Sequence, residues 1–214
     1  MNSPLAKVLG TVALSAGLTA AAAPASAQAP TMLGCNGPFA KDAAESALIA
    51  AFGAKNVKRE DIDVGEGSTE PGTIVFPDDE KRRIEVLWHD NQKRRRPSAI
   101  IVRDPSSWRV AVPGEPAATI GTGTEIAAVE AANGKPFQLY GFGWDMGGNA
   151  GDWKGGRLGK LEGGCYLSLQ FGPDPKAKDA AVGKASGDKP FGSGSAAMKA
   201  VKPRVEKISI GWPE

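Results

Sequence analysis

The sequence predicts an α+β fold: two tandem repeats, each one short helix plus about four antiparallel strands, forming an antiparallel sheet covered on one side. Two observations carry this. Lys41 to Val57 and Gly121 to Phe137 read as two copies of one segment. At an offset of 81, Gly53 falls on Gly134, Leu48 on Val129 and Phe39 on Ile120. Strand-like runs follow each copy at spacings that suit an antiparallel meander and leave no room for βαβ crossovers. One helix per half cannot cover both faces of a sheet, so one face is expected to be less protected.

The chain before the first copy reads as an export signal. Lys7 precedes an apolar, uncharged run from Val8 to Ala23, and Pro24-Ala25-Ser26-Ala27 places small residues before a cut at Gln28. Residues 1–27 are therefore expected to be removed, with a periplasmic or secreted destination. No later stretch is apolar enough to cross a membrane. Removal takes one lysine from the 26 bases and 24 acids, leaving a net charge of +1. That balance argues against a nucleic-acid partner. Cys35 and Cys165 are the only cysteines. In an exported chain an even count favours one disulfide, with two buried thiols as the alternative.

Residues 28–38 read as a linker carrying Cys35, residues 39–104 as the first repeat and residues 105–118 as a connector. Residues 119–214 form the second repeat, with a long exposed loop over 173–200. The first helix is expected from Asp42, with Glu45 in capping-box spacing, to Gly53, and Ala44, Ala47, Leu48, Ala51 and Phe52 share one face. Strands are expected at 61–64, 72–76, 83–88 and 98–103. The second helix starts near Thr122 and ends at Gly134. Its strands are expected at 138–144, 153–158, 164–171 and 205–212.

Three patterns invite a functional reading. Alternation along 138–144 sets Tyr140, Phe142 and Trp144 on one side, with Leu139, Gly141 and Gly143 opposite. These rings, with Trp153, are either core beneath the helix or an exposed binding stripe, and glycines opposite them admit a close backbone. Arg94, Arg95 and Arg96 form a basic loop tip, a secondary contact for an acidic partner. Asp145, with Asp152 or Glu162, is the carboxylate pair a hydrolase would use, although no spacing favours it. His89 is the only histidine, so triads and histidine-based metal sites lack partners. Gly134-Lys135-Pro136 lacks the upstream glycine and following hydroxyl of a phosphate loop. No cofactor or metal is expected.

Ile120-Gly121-Thr122-Gly123-Thr124-Glu125-Ile126 through Asn133-Gly134-Lys135-Pro136 resembles the segment that opens the small outer-membrane assembly lipoproteins and the tandem repeats of the β-lactamase inhibitor proteins. The resemblance covers about 17 residues in each copy. The first copy lacks the proline after its glycine. The whole chain beyond residue 27 is also similar to uncharacterised exported proteins of alphaproteobacteria. The inhibitor resemblance implies two helix-plus-four-strand repeats with a concave sheet presenting aromatic side chains. The resulting expectation is a non-catalytic exported binding or envelope-associated protein with an unknown protein or envelope component as partner. The alternative is a periplasmic hydrolase.

Overall fold

The computed structural model describes Met1 and residues 31–214; the expected signal peptide falls outside the described residues. In chain order the elements are β1 (Thr31–Leu33), α1 (Glu45–Phe52), β2 (Val57–Gly65), β3 (Ser68–Val75), β4 (Ile84–Asp90) and β5 (Arg95–Arg103). Then come β6 (Trp108–Val112), β7 (Glu115–Gly121), α2 (Ile126–Asn133), β8 (Gln138–Tyr140), β9 (Asn149–Ala150) and β10 (Tyr166–Gly172). The chain closes with α3 (Asp179–Lys184), β11 (Pro190–Gly192), α4 (Ala196–Val201) and β12 (Arg204–Gly211).

The predicted meander is present: β2 to β5 pair antiparallel, each with the next. β12 joins β5, β10 joins β12 and β9 joins β10, giving a seven-stranded antiparallel sheet. Period-2 alternation sends Val86, Trp88, Ile100, Val102, Ile208 and Ile210 into one large core, shared with Leu48 of α1 and Ile126 and Val129 of α2. The opposite face carries a small cluster of Ile62, Ile74, Leu87 and Ile101, to which no helix among the described residues contributes. The fold is thus α+β, with its helices on one side of the sheet.

The two helices begin 81 residues apart, the offset at which the sequence segments align. Each is hung on a central strand by the same two main-chain bonds. The Glu45 amide donates to the Arg94 carbonyl (2.9 Å) and the Arg96 amide to that of Ala43 (2.8 Å). At the second joint the Ile126 amide donates to Pro203 (2.8 Å) and the Val205 amide to Thr124 (3.0 Å). These bonds engage N–H groups that a helix start leaves free. Neither Asp42 nor Thr122 therefore serves as a cap. Ala44 and Glu125 take the cap positions without a side-chain bond, and the Thr122 hydroxyl instead binds Ser106.

Several expected boundaries need correction. Parts of the linker and connector form a second, three-stranded sheet, with β1 parallel to β6 and β6 antiparallel to β7. Trp108, Val110 and Val112 alternate inward, a signal hidden between Pro105 and Pro113. The expected loop 173–200 holds α3, β11 and α4, and Ser195 caps α4 by accepting from the Met198 amide (3.3 Å). The second half adds only three strands to the large sheet, because β8 pairs with β11 instead. The expected strand 153–158 is a turn with a short 3-10 segment at Arg157–Gly159.

Cys35 and Cys165 form a disulfide with a Cα–Cα distance of 5.6 Å and a sequence separation of 130. It ties the segment after β1 to the entry of β10. Among the described residues, no helix is long and apolar enough to cross a membrane.

Candidate functional site

The glycine-rich segment after β8 sorts the predicted aromatic stripe into two groups. The chain leaves strand geometry at Gly141, and Gly143 adopts a positive φ of 82°. Alternation therefore stops, and the side chains no longer share a face. Phe142 turns inward to 5% exposure, while Tyr140, Trp144 and Met146 remain 40%, 62% and 53% exposed. Trp153, at 3% exposure, is core: its ring packs on Phe137 and its Nε1 donates to the Leu167 carbonyl (2.9 Å). Phe142 and Trp153 are thus corrected from contact residues to supports. Met146 joins the exposed group, and the sequence reading missed it because a lone Met in a loop carries no periodicity.

Main-chain bonds fix the loop at both ends. The Phe142 amide donates to Ala185 (3.0 Å), the Gly187 amide to Phe142 (3.1 Å) and the Gly141 amide to Lys189 (3.1 Å). A Cβ on Gly141 would sit 2.5 Å from the Gly187 oxygen, so glycine is what admits this neighbouring backbone. At the far end the Gly148 amide donates to Tyr140 (3.0 Å) and the Phe171 amide to Gly148 (2.9 Å). A Cβ on Gly148 would stand 1.9 Å from the Phe171 oxygen. Within the loop Gly147 donates to Trp144 (2.7 Å) and Asn149 to Met146 (3.0 Å). The tip is an ordered turn that presents two large apolar side chains beside Asp145. Tyr140, Trp144 and Met146 thus leave large apolar surfaces in water within seven residues of sequence.

The arginine tip divides as well. Arg94 reaches inward, its Nε 3.4 Å from the Glu45 carboxylate, and serves the α1 joint. Arg95 lies 3.7 Å from Asp90, and Arg96 is exposed. The tip stands at the start of β5, whereas the aromatic loop borders the end of β10. Since Gly172 faces Arg204 and Arg103 faces Lys207, the end of β10 lies beside the far end of β5. The two expected contact surfaces are about 27 Å apart along the central strands and form no single site.

Asp152 pairs with Lys154, whose hydrogen bonds hold its carboxyl below the usual range, the opposite of what a general acid needs. His89 is half-buried, and its Nε2 donates to the Trp212 carbonyl (3.0 Å). Among the described residues no group of three or more His, Cys, Asp or Glu side chains is gathered as a metal ion would require. Compared with known proteins, the chain matches no family model, no curated protein and no solved structure.

Proposed function

We propose that this protein is a non-catalytic, exported binding module that holds a protein partner in the periplasm through Tyr140, Trp144 and Met146. The observation that carries this reading is the exposure of three large apolar side chains, Tyr140 at the end of β8 and Trp144 and Met146 on the short loop after it, whose ends are clamped by main-chain bonds. Such a tip loses little conformational entropy on binding, and aromatic anchors of this kind dominate interface energetics. The disulfide between distant halves fits an oxidising compartment. Arg95 and Arg96, at the other end of the sheet, are a separate and minor contact.

The test is capture from the native envelope followed by titration of the captured partner. Trp144→Ala is expected to weaken binding about 30-fold or more, the effect of truncating a central anchor. Arg95→Ala/Arg96→Ala is expected to change it less than about 5-fold. Equal affinity of the wild type and Trp144→Ala for every captured protein overturns the reading.

A further inference from the structure

We propose that copies of this protein join head to tail, the acidic β2–β3 ribbon of one copy seating in a lysine-rimmed cleft of the next. The linings of this cleft include none of Tyr140, Trp144 and Met146.

The cleft lies between α3 and α4. Alanines, among them Ala181, Ala197 and Ala200, form its floor, and Lys178 and Lys184 stand on its rim around a volume of about 450 Å³. It continues into a second hollow of about 510 Å³, where Lys176 and Lys202 join Lys178. Among the described residues only Lys58 and Lys154 are lysines in ion pairs, so none of these four makes one. Asp174, the one acid in these linings, is engaged by Arg204 (3.5 Å). Alanine methyl groups are too short to anchor in a bilayer, where interfacial helices use Trp, Phe and Leu. They do let another backbone approach closely.

The ribbon supplies the complement. β3 pairs with β4 only at Thr73, Ile74 and Val75, so among the described residues the stretch from Glu60 to Pro71 has no third strand. It carries Glu60, Asp61, Asp63, Glu66 and Glu70 with no base among them. Asp61, Asp63, Glu66 and Glu70 take part in no ion pair among the described residues, whereas Glu60 pairs with Lys58 and Arg83. Val64, 43% exposed, stands near the turn. One branched apolar side chain flanked by carboxylates matches a floor of methyl groups rimmed by ammonium groups. Each exposed pair contributes little and is screened by salt, so the association is weak and favoured at low ionic strength.

One chain cannot close this contact on itself. Ile62 seats the ribbon on the open face of the sheet, whereas Met198 and Val201 seat α4 on the covered face. The contact uses different surfaces on the two copies, so each copy keeps a free ribbon or cleft for a further one unless the rotation between copies closes a ring.

Sedimentation of the full chain, expressed with residues 1–30 left as the cell processes them, tests this. In about 20 mM salt the average mass is expected to rise at least twofold with protein concentration, returning to a single copy at about 0.5 M salt. Lys176→Glu/Lys178→Glu/Lys184→Glu and Asp61→Lys/Glu66→Lys/Glu70→Lys should each sediment as one copy alone. Mixed one to one, they should associate again, because each now offers the charge that the other lacks. Ala200→Trp, which fills the cleft without altering charge, should abolish association, and Trp144→Ala should leave it intact. The proposal is overturned by a wild type that stays a single copy in low salt, by a mixture that fails to associate, or by an Ala200→Trp variant that associates as before.

Discussion

Helices α1 and α2 meet the sheet through matching main-chain bonds, yet the first helical residue is a carboxylate in one and an apolar chain in the other. Glu45 is 6% exposed and accepts from Arg59 Nη2 (2.6 Å), Arg59 Nε (3.0 Å) and the Thr73 hydroxyl (2.8 Å). Thr73 in turn accepts from Trp88 Nε1 (3.0 Å). Ile126, at the equivalent place, simply joins the core. Beside it the exposed Glu125 accepts from Arg204 Nη2 (2.7 Å), and the buried polar fastening of α2 lies at the other end of the helix. There the buried Asn133 amide donates to the carbonyls of Lys135 (2.9 Å) and Trp153 (3.0 Å), and Arg157 binds the last helical carbonyls. The backbone joint therefore leaves the side chain at the first helical position free to be ionic or apolar. What distinguishes the joints is their response to acid.

Removing the disulfide between the segment after β1 and the entry of β10 should have the largest effect. Cys35→Ser/Cys165→Ser opens a loop of 130 residues, for which chain entropy gives a loss of about 5 kcal/mol, measured by urea unfolding. Next come Glu45→Ala and Ile126→Ala, both expected to cost about 2–3 kcal/mol. In the first, Arg94 loses its partner, while Arg59 is largely in water and limits the loss. In the second, packing is lost. Only the cost of Glu45→Ala should shrink as the pH falls.

Burial pushes the Glu45 carboxyl up, but the hydrogen bonds and charges of Arg59, Thr73 and Arg94 outweigh it and hold the group below its ordinary value. A depressed carboxyl contributes stability that is present above its unfolded pKa and lost as pH falls through the folded one. Glu45→Gln should therefore flatten the acid limb of the stability curve, whereas Ile126→Ala shifts the whole curve down. Glu206 runs the other way: burial first, then Asp104, raise its pKa, so its ionisation works against folding above that range. Glu206→Gln should raise the melting temperature slightly at neutral pH and not below pH 4. An acid limb unchanged by Glu45→Gln would remove the distinction between the joints.

Much of this architecture was legible in local patterns. Gly53 and Gly134 stop both helices where glycine tolerates positive φ, and alternation in Ile84-Glu85-Val86-Leu87-Trp88 marked a strand. Helix starts were misplaced because Asp42 and Thr122 imitate caps, while the real partners are carbonyls directly before strands, 49 and 77 residues further on, at Arg94 and Pro203. The three-residue β1 depends on a parallel partner at Trp108 and has no local signature. At the candidate site, residue types pointed to the right loop but alternation misassigned Phe142. A single backbone reversal at Gly143, set by distant contacts with residues 185–187, decides which ring faces water.

The most direct test sets the exposed and buried members of the aromatic loop against each other. Tyr140→Ala/Trp144→Ala/Met146→Ala and Phe142→Ala are compared in melting temperature and in affinity for the captured partner. The expected result is a triple variant that melts within about 2 °C of the wild type yet binds at least 100-fold more weakly, beside a Phe142→Ala protein that melts well below it. A triple variant that folds normally and binds the partner as tightly as the wild type would contradict the assignment of this loop as the binding surface.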